Sequence, residues 1–223
     1  IGAWGVKGGF KVKPFAADLF FGINTANPSL ADPRFRQAIV KAVDRDAVVK
    51  AALPGRLAQQ TIVPSGVPGA IGPEGCGDPC KYDPAAAKVL LAQAFPDGKV
   101  PAVAIEIPQD PADVPMAQSV QQQLVAVGIP ATISQLPFDQ FRTLSVGGTQ
   151  QIARRGWMGL YPDPDAYLAP LAFSTSQDNV NGVADATIDG SIRQARATKD
   201  RDARLAAYGQ IEKMVLAQAP VLP

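Results

Sequence analysis

Residues 100–158 decide the fold, and they read VPAVAIEIPQDPADVPMAQSVQQQLVAVGIPATISQLPFDQFRTLSVGGTQQIARRGWM. Three segments have the composition and alternation of β-strands: VPAVAIEIP, ATISQLP and QIARRGW. Between them lie two helical segments, VPMAQSVQQQLVAVG and FDQFRTLSVGG. The first carries Met116, Val120, Leu124 and Val127 on one stripe, and Gly128 ends it. Strands that alternate with helices predict an α/β domain in which helices pack on a β-sheet.

The flanking segments extend this pattern. DLFFGIN, residues 18–24, is a strand candidate. Helices are expected after Asp32, Asp44 and Asp83, and two more in ATIDGSIRQARAT and DRDARLAAYGQIEKMVLAQA. Pro33 suits a first helical position, and Phe35, Ala38, Ile39, Ala42 and Val43 fall on one helical face. Pro54-Gly55 should end the second helix, and residues 54–82 form a Pro/Gly-rich surface excursion. Asp32, Asp83 and Asp139 are interpreted as helix caps.

Composition excludes several classes of function. The chain has 21 basic and 20 acidic residues and no basic run, so nucleic-acid binding is not expected. There is no histidine, which excludes Ser-His-Asp and Cys-His catalysis. Two cysteines without histidine cannot complete a zinc site, and neither a phosphate-binding loop nor a dinucleotide fingerprint occurs. We therefore expect no metal and no cofactor.

The two cysteines, Cys76 and Cys80, lie in the loop GPEGCGDPCKYD. The spacing favours a small disulfide in an exposed loop over two free thiols. A disulfide would place the protein outside the reducing cytoplasm. Such a short loop should stabilise the fold by less than the roughly 3 kcal/mol of a 15-residue loop.

The segment GWMGLYPDPDAYL, residues 156–168, concentrates aromatic and acidic side chains. Asp163 and Asp165 could form the carboxylate pair of a glycoside hydrolase. Carboxylates two residues apart around a proline are more often turn and cap residues, and no calcium-loop pattern surrounds them. The hydrolase hypothesis is therefore the least favoured.

Five segments in order resemble the extracellular solute-binding proteins of ABC importers in the peptide/nickel class. They are LADPRFRQAIVKAVDRDAVV, YDPAAAKVLLAQA, QQLVAVGIPATI, GWMGLYPDPDAYL and the C-terminal stretch from IDGSIRQARAT to APVLP. Together they cover nearly the whole chain. The resemblance implies a two-lobed fold of the periplasmic-binding-protein type that closes on its ligand. Residues 1–223 would be the second lobe, a single α/β lobe with a mixed sheet, without the first lobe and the return crossover.

The function implied by the resemblance is capture of a small, peptide-like solute for delivery to a membrane permease. The protein would be extracytoplasmic and anchored by a lipid, and it would not be an enzyme. An alternative of another class is a scaffold or regulatory protein that keeps the fold and transports nothing.

The resemblance also points to ligand-binding residues. In peptide-binding members the aspartate of G-W-x-x-D pairs with the free α-amine of the peptide. Gly156 and Trp157 match the motif, but Leu160 replaces the aspartate, which favours an uncharged or apolar ligand group. The position of Trp157 lines the cavity, although a tryptophan after a strand is often a core residue. Arg154 takes the place of a basic residue that faces the carboxylate end of the ligand, and Tyr161 adjoins the motif or packs under its loop. Because Arg154 and Arg155 are adjacent in a strand, only one of them can face the site.

Overall fold

The computed structural model describes residues 17–53 and 56–223. Within these ranges, five strands form one mixed sheet in the order β3-β2-β4-β1-β5. They are β1 (Ala17–Ile23), β2 (Val103–Pro108), β3 (Ala131–Leu136), β4 (Ile152–Met158) and β5 (Val221–Leu222). Strands β2, β3 and β4 are parallel, whereas β1 runs antiparallel to both β4 and β5. The α/β fold with a mixed sheet is confirmed.

The described residues form nine α-helices, and those that follow Asp32, Asp44 and Asp83 begin where capping predicts. They are α1 (Pro33–Ala42), α2 (Arg45–Ala52), α3 (Gly72–Cys76), α4 (Pro84–Ala94), α5 (Val114–Ala126), α6 (Phe138–Val146), α7 (Asp165–Ala172), α8 (Ala186–Ala197) and α9 (Arg201–Ala217). The side chains of Asp32, Asp44 and Asp83 accept hydrogen bonds from backbone amides in the first turns of α1, α2 and α4. Each bond satisfies an amide that the helix itself leaves unpaired.

Each face of the sheet carries its own core. The alternation of β1 divides its side chains, because Phe21 and Ile23 enter the first core and Phe20 enters the second. The first core contains the predicted stripes of α1 and α5. The second lies under α7, α8 and α9, and at its centre Tyr167 and Tyr208 are completely buried. Both faces are therefore covered, as the alternation of strands and helices predicts.

Four details differ from the sequence-based expectations or extend them. Asp139 does not cap α6: the residue before the helix is Pro137, and Asp139 lies exposed in its first turn. The loop of Cys76 and Cys80 is exposed only in part: Glu74 and Asp78 face solvent, whereas both cysteines are buried in the second core, where a disulfide joins them. The short strand β5 escaped prediction because two residues show no alternation. The predicted stop at residues 54–55 lies outside the described part of the chain.

Among the residues described, no helix is both long and apolar enough to cross a membrane. The same residues contain no group of three or more cysteine, aspartate or glutamate side chains that could hold a metal ion.

Candidate functional site

The carboxyl ends of β2, β3 and β4 meet at one edge of the sheet because the three strands are parallel. The start of β1 lies at the same edge, where Ala17 pairs with Met158. In open α/β sheets, ligands bind in the crevice outside the carboxyl ends of the strands. We call this the carboxyl edge, and the motif GWMGLYPDPDAYL leaves the sheet there.

Four large apolar side chains at the carboxyl edge face solvent. Phe138 follows β3 and is 68% exposed, and Met158 ends β4 and is 56% exposed. Leu160 and Tyr161 follow in the next loop and are 89% and 48% exposed. Concentrated exposed apolar surface is typical of an interaction site. We call these four residues the apolar rim.

Trp157 belongs to both the edge and the second core. It is half-buried, and its indole N–H donates a hydrogen bond of 2.7 Å to the carbonyl oxygen of Ala166. The ring also borders a cavity of only about 10 Å³, which has room for one water molecule at most. Packing in the second core thus explains why much of the Trp157 side chain is buried. Contact between Trp157 and a ligand stays a prediction. Gly156 is exposed beside it, and a Cβ there would lie 3.2 Å from the side chain of Leu19.

The two arginines of β4 point to opposite faces of the sheet. The Nε of Arg154 lies 2.9 Å from a carboxylate oxygen of Asp113, a buried residue just before α5. Its charge already has an internal partner, so contact with a ligand carboxylate stays a prediction. Arg155 has no such ion pair among the residues described, and burial lowers its pKa although the charge of Glu106 opposes that shift.

The two motif aspartates form separate internal ion pairs. Asp163 binds both terminal nitrogens of Arg204 and also accepts a hydrogen bond of 3.1 Å from the amide of Asp165. Asp165 binds Arg196 through two hydrogen bonds of 2.8 and 3.2 Å and accepts another from the hydroxyl of Tyr208. Burial by itself would raise the pKa of Asp165, but these hydrogen bonds outweigh it and lower the pKa. The pair is therefore anchored to α8 and α9, which removes the geometric support for a hydrolase.

This network fixes the loop that carries Leu160 and Tyr161 of the apolar rim. The hydroxyl of Tyr161 donates a hydrogen bond of 2.9 Å to Asp165. Gly159 lies against the ring of the buried Tyr167, where even a methyl group would collide. Leu160 stands between these two attachments, and its side chain is therefore held outward, at the carboxyl edge.

A half-buried acid and a buried acid, Asp18 and Glu212, lie behind Trp157. Asp18 is opposite Trp157 in the β1–β4 ladder, and burial together with the charge of Glu212 raises its pKa to about 7. Burial also raises the pKa of Glu212 to about 7, against the effect of hydrogen bonds from backbone amides that include that of Val63. Within the described residues, one oxygen of each carboxylate has no hydrogen-bond partner.

The structure thus brings Gly156, Trp157, Leu160 and Tyr161 to one edge and holds Arg154 two residues away in an ion pair. Sequence reasoning missed Phe138 and Met158. A usable signal existed for Phe138, because it lies two residues after β3, and a parallel sheet places the carboxyl ends of β3 and β4 at the same edge.

The comparisons with known proteins agree with this architecture. Residues 7–179 match a family model described as bacterial extracellular solute-binding proteins, family 5. The dipeptide-binding protein of Escherichia coli strain K12 is 28% identical over 211 residues, which are 91% of this chain and 39% of that protein. Di/tripeptide-binding protein 2 of Pseudomonas aeruginosa strain UCBPP-PA14 is 30% identical over 207 residues, 90% of this chain and 38% of the relative.

Solved structures show the same fold. The murein tripeptide-binding protein MppA of Escherichia coli superposes with a TM-score of 0.84 at 22% identity, covering 94% of this chain and 42% of that chain. The chain spans about two fifths of the length of the relatives that it matches.

Proposed function

Because the chain belongs to the bacterial extracellular solute-binding proteins of family 5, we propose that it captures a small, peptide-like solute for an ABC importer. The observation that carries the proposal is the apolar rim at the carboxyl edge of three parallel strands, where this fold class binds ligands. The names of the relatives, which are dipeptide- and di/tripeptide-binding proteins, support a peptide-like ligand. A membrane permease would receive the solute.

Residues 1–223 act in this proposal as one of two lobes. The relatives are more than twice as long as the matched region, which leaves room for a first lobe that supplies the other half of the site. Closure about a hinge would then trap the ligand against the rim. Exposed apolar side chains that face a second lobe would lose contact with water on closure, which favours the closed state.

The protein functions outside the cytoplasm in this proposal, held at the membrane by a lipid anchor. The disulfide between Cys76 and Cys80 supports an oxidising compartment, because such bonds persist there and are rare in the cytosol.

Leu160 sets the ligand's chemistry in our proposal. It replaces the aspartate that binds a peptide's α-amine in similar proteins, and the nearest acids of the motif, Asp163 and Asp165, are already paired with arginines. A ligand ammonium group placed against Leu160 would lose water without gaining a counter-charge. The site should therefore prefer a blocked or uncharged group at this position.

The test compares dipeptides with free and acetylated amino groups by isothermal titration calorimetry on the full-length protein. Wild type should bind the acetylated form more tightly, and Leu160→Asp should shift the ratio of affinities toward the free amine by at least about tenfold, or 1.4 kcal/mol. The matched control is Val146→Asp, because Val146 is 71% exposed at the far end of α6 and should leave the ratio unchanged.

The outcomes separate the parts of the proposal. An unchanged ratio in Leu160→Asp would refute the role of Leu160 and leave peptide binding standing. Failure of every peptide to bind would refute the peptide-like ligand and favour the scaffold alternative.

A further inference from the structure

Asp113 is a buried aspartate that does not serve the helix it precedes. It lies directly before α5, where an aspartate usually accepts a hydrogen bond from an amide of the first turn, but its side chain caps no amide. It is only 4% exposed, and a carboxylate oxygen instead accepts a hydrogen bond of 2.9 Å from Nε of Arg154 on β4. The carboxylate that could have capped α5 thus holds an arginine of the sheet.

This ion pair occupies only one side of the Arg154 guanidinium. Nε is engaged, whereas the two terminal nitrogens, Nη1 and Nη2, meet no acceptor among residues 17–53 and 56–223. Neither terminal nitrogen is enclosed, and the side chain as a whole is 29% exposed. A ligand can therefore reach them. The terminal nitrogens of a guanidinium present two parallel N–H donors, which match the two oxygens of a carboxylate.

The side chain of Arg154 extends along β4 towards the carboxyl edge. A Cβ built on Gly156, two residues further along, would lie 3.9 Å from Nη1. Because side chains alternate along a strand, Arg154, Gly156 and Met158 belong to the same face of the sheet. Gly156 and Met158 are both exposed. An open surface therefore runs from the terminal nitrogens, over a residue without a side chain, to Met158 of the apolar rim, about 7 Å further along the strand.

From these contacts we infer that Asp113 is a positioning residue, which holds Arg154 over Gly156 so that Nη1 and Nη2 receive the carboxylate of a ligand whose apolar body lies on Met158. The inference rests on the proposed function and deepens it, because it names the class of ligand. Leu160 offers no charge to an amino group, whereas the held arginine offers one to a carboxylate. The ligands are therefore amino-blocked peptides with a free carboxyl group.

Asp113 has two effects on such a ligand, and their signs are opposite. It orders the arginine before the ligand arrives, and an arginine that is not held loses conformational freedom on binding, which weakens binding. Its negative charge also repels the carboxylate of the ligand. A positioning role requires the first effect to exceed the second, and variants of Asp113 measure which one does.

The experiment titrates the full-length protein with N-acetyl-alanyl-leucine and with its carboxyl-terminal amide by calorimetry. Wild type should bind the acid at least about tenfold more tightly than the amide, since only the acid pairs with Arg154. Arg154→Gln should bring this acid-to-amide ratio close to one. Asp113→Ala keeps the arginine and its charge but should lower the ratio by about fivefold, with little change in affinity for the amide.

Further variants separate positioning from general damage. Asp113→Asn keeps an oxygen that can accept from Nε, so its ratio should lie between those of wild type and Asp113→Ala. In the Arg154→Gln background, Asp113→Ala should not change the ratio further. The matched control is Asp110→Ala, because Asp110 is exposed in the same loop and its side chain bonds only the amide of Ala112. This control should keep the wild-type ratio.

If the Asp113 variants fail to fold, the Nε–H signal of Arg154 in wild type decides. It is followed by heteronuclear NMR and assigned by its loss in Arg154→Gln. The proton should stay protected from exchange both in the free protein and after saturation with the acid, because Asp113 holds Nε throughout.

Three results would overturn the inference. They are an unchanged or higher ratio in Asp113→Ala, equal binding of acid and amide by wild type, and loss of the protected Nε–H signal on binding, which would mean that the ligand displaces Asp113. Equal binding of both peptides would leave the proposed function standing. Failure of both peptides to bind would refute the proposed function and the inference with it.

Discussion

Replacing Gly159 with alanine tests whether contact with Tyr167 fixes the loop that carries Leu160 and Tyr161. A Cβ built on Gly159 lies 2.5 to 2.6 Å from three atoms at the end of the Tyr167 side chain, including the hydroxyl oxygen. Carbon atoms in proteins do not approach that closely, so either the ring or the loop must move. The ring is completely buried and cannot swing into solvent. The displacement should therefore fall on the loop, and Leu160 should move with it.

The size of the effect follows from overpacking. Adding a methylene to a filled site costs about 1–3 kcal/mol, and we expect a value of about 2 kcal/mol for Gly159→Ala because three atoms are in conflict. Guanidinium denaturation of the full-length protein followed by circular dichroism measures this value. Ligand affinity should fall in the same variant, since Leu160 is displaced.

Gly190→Ala is the matched control. Gly190 is exposed within α8, and a Cβ there meets no atom within 4 Å. Alanine favours the helix over glycine by about 1 kcal/mol, so this variant should be more stable than wild type. If Gly159→Ala were as stable as Gly190→Ala and bound ligand normally, Tyr167 would not be what holds the loop.

Two further predictions concern buried acids. Burial raises the pKa of Glu212 to about 7, above the ordinary pKa of a glutamate. The protonated carboxyl group therefore stabilises the fold fully below that ordinary pKa. This stabilisation is lost as the pH rises through about 7. Glu212→Gln should therefore gain about 2–3 kcal/mol relative to wild type between pH 5 and pH 8, measured by urea unfolding at both values. Asp165→Asn should lower the free energy of unfolding by about 2–3 kcal/mol at pH 7, because Arg196 and Tyr208 lose their anionic acceptor. If the free energy of unfolding of Glu212→Gln changed with pH as that of wild type does, the raised pKa of Glu212 would be contradicted. If Asp165→Asn were as stable as wild type, the stabilising role of the Asp165 hydrogen bonds would be contradicted.

The starts of α1, α2 and α4 were predictable because capping is local. An aspartate that accepts a hydrogen bond from an amide two or three residues later is visible in the sequence, as at Asp32, Asp44 and Asp83. The wrong assignment of Asp139 shows the limit of this reasoning. Its position suggested a cap, but α6 already begins at Phe138, directly before it.

The roles of charged residues were less predictable because their partners are distant in sequence. Asp163 and Arg204 are 41 residues apart, as are Arg154 and Asp113, and the sequence alone does not pair them. Arg154 was expected to face a ligand. The structure shows that it also has an internal partner, Asp113, which the sequence of the strand alone does not reveal.

By itself, the sequence determined the alternation of strands and helices, the caps of α1, α2 and α4, and the position of the Leu160 motif after a strand, because each depends on neighbouring residues and on the periodicity of side chains. Only the tertiary structure decided that β1 lies antiparallel within the sheet, that the motif aspartates are paired internally, and that Phe138 and Met158 join Leu160 at one edge. These outcomes depend on contacts between segments far apart in the chain, and the free energy of such contacts depends on burial and geometry that no local pattern contains.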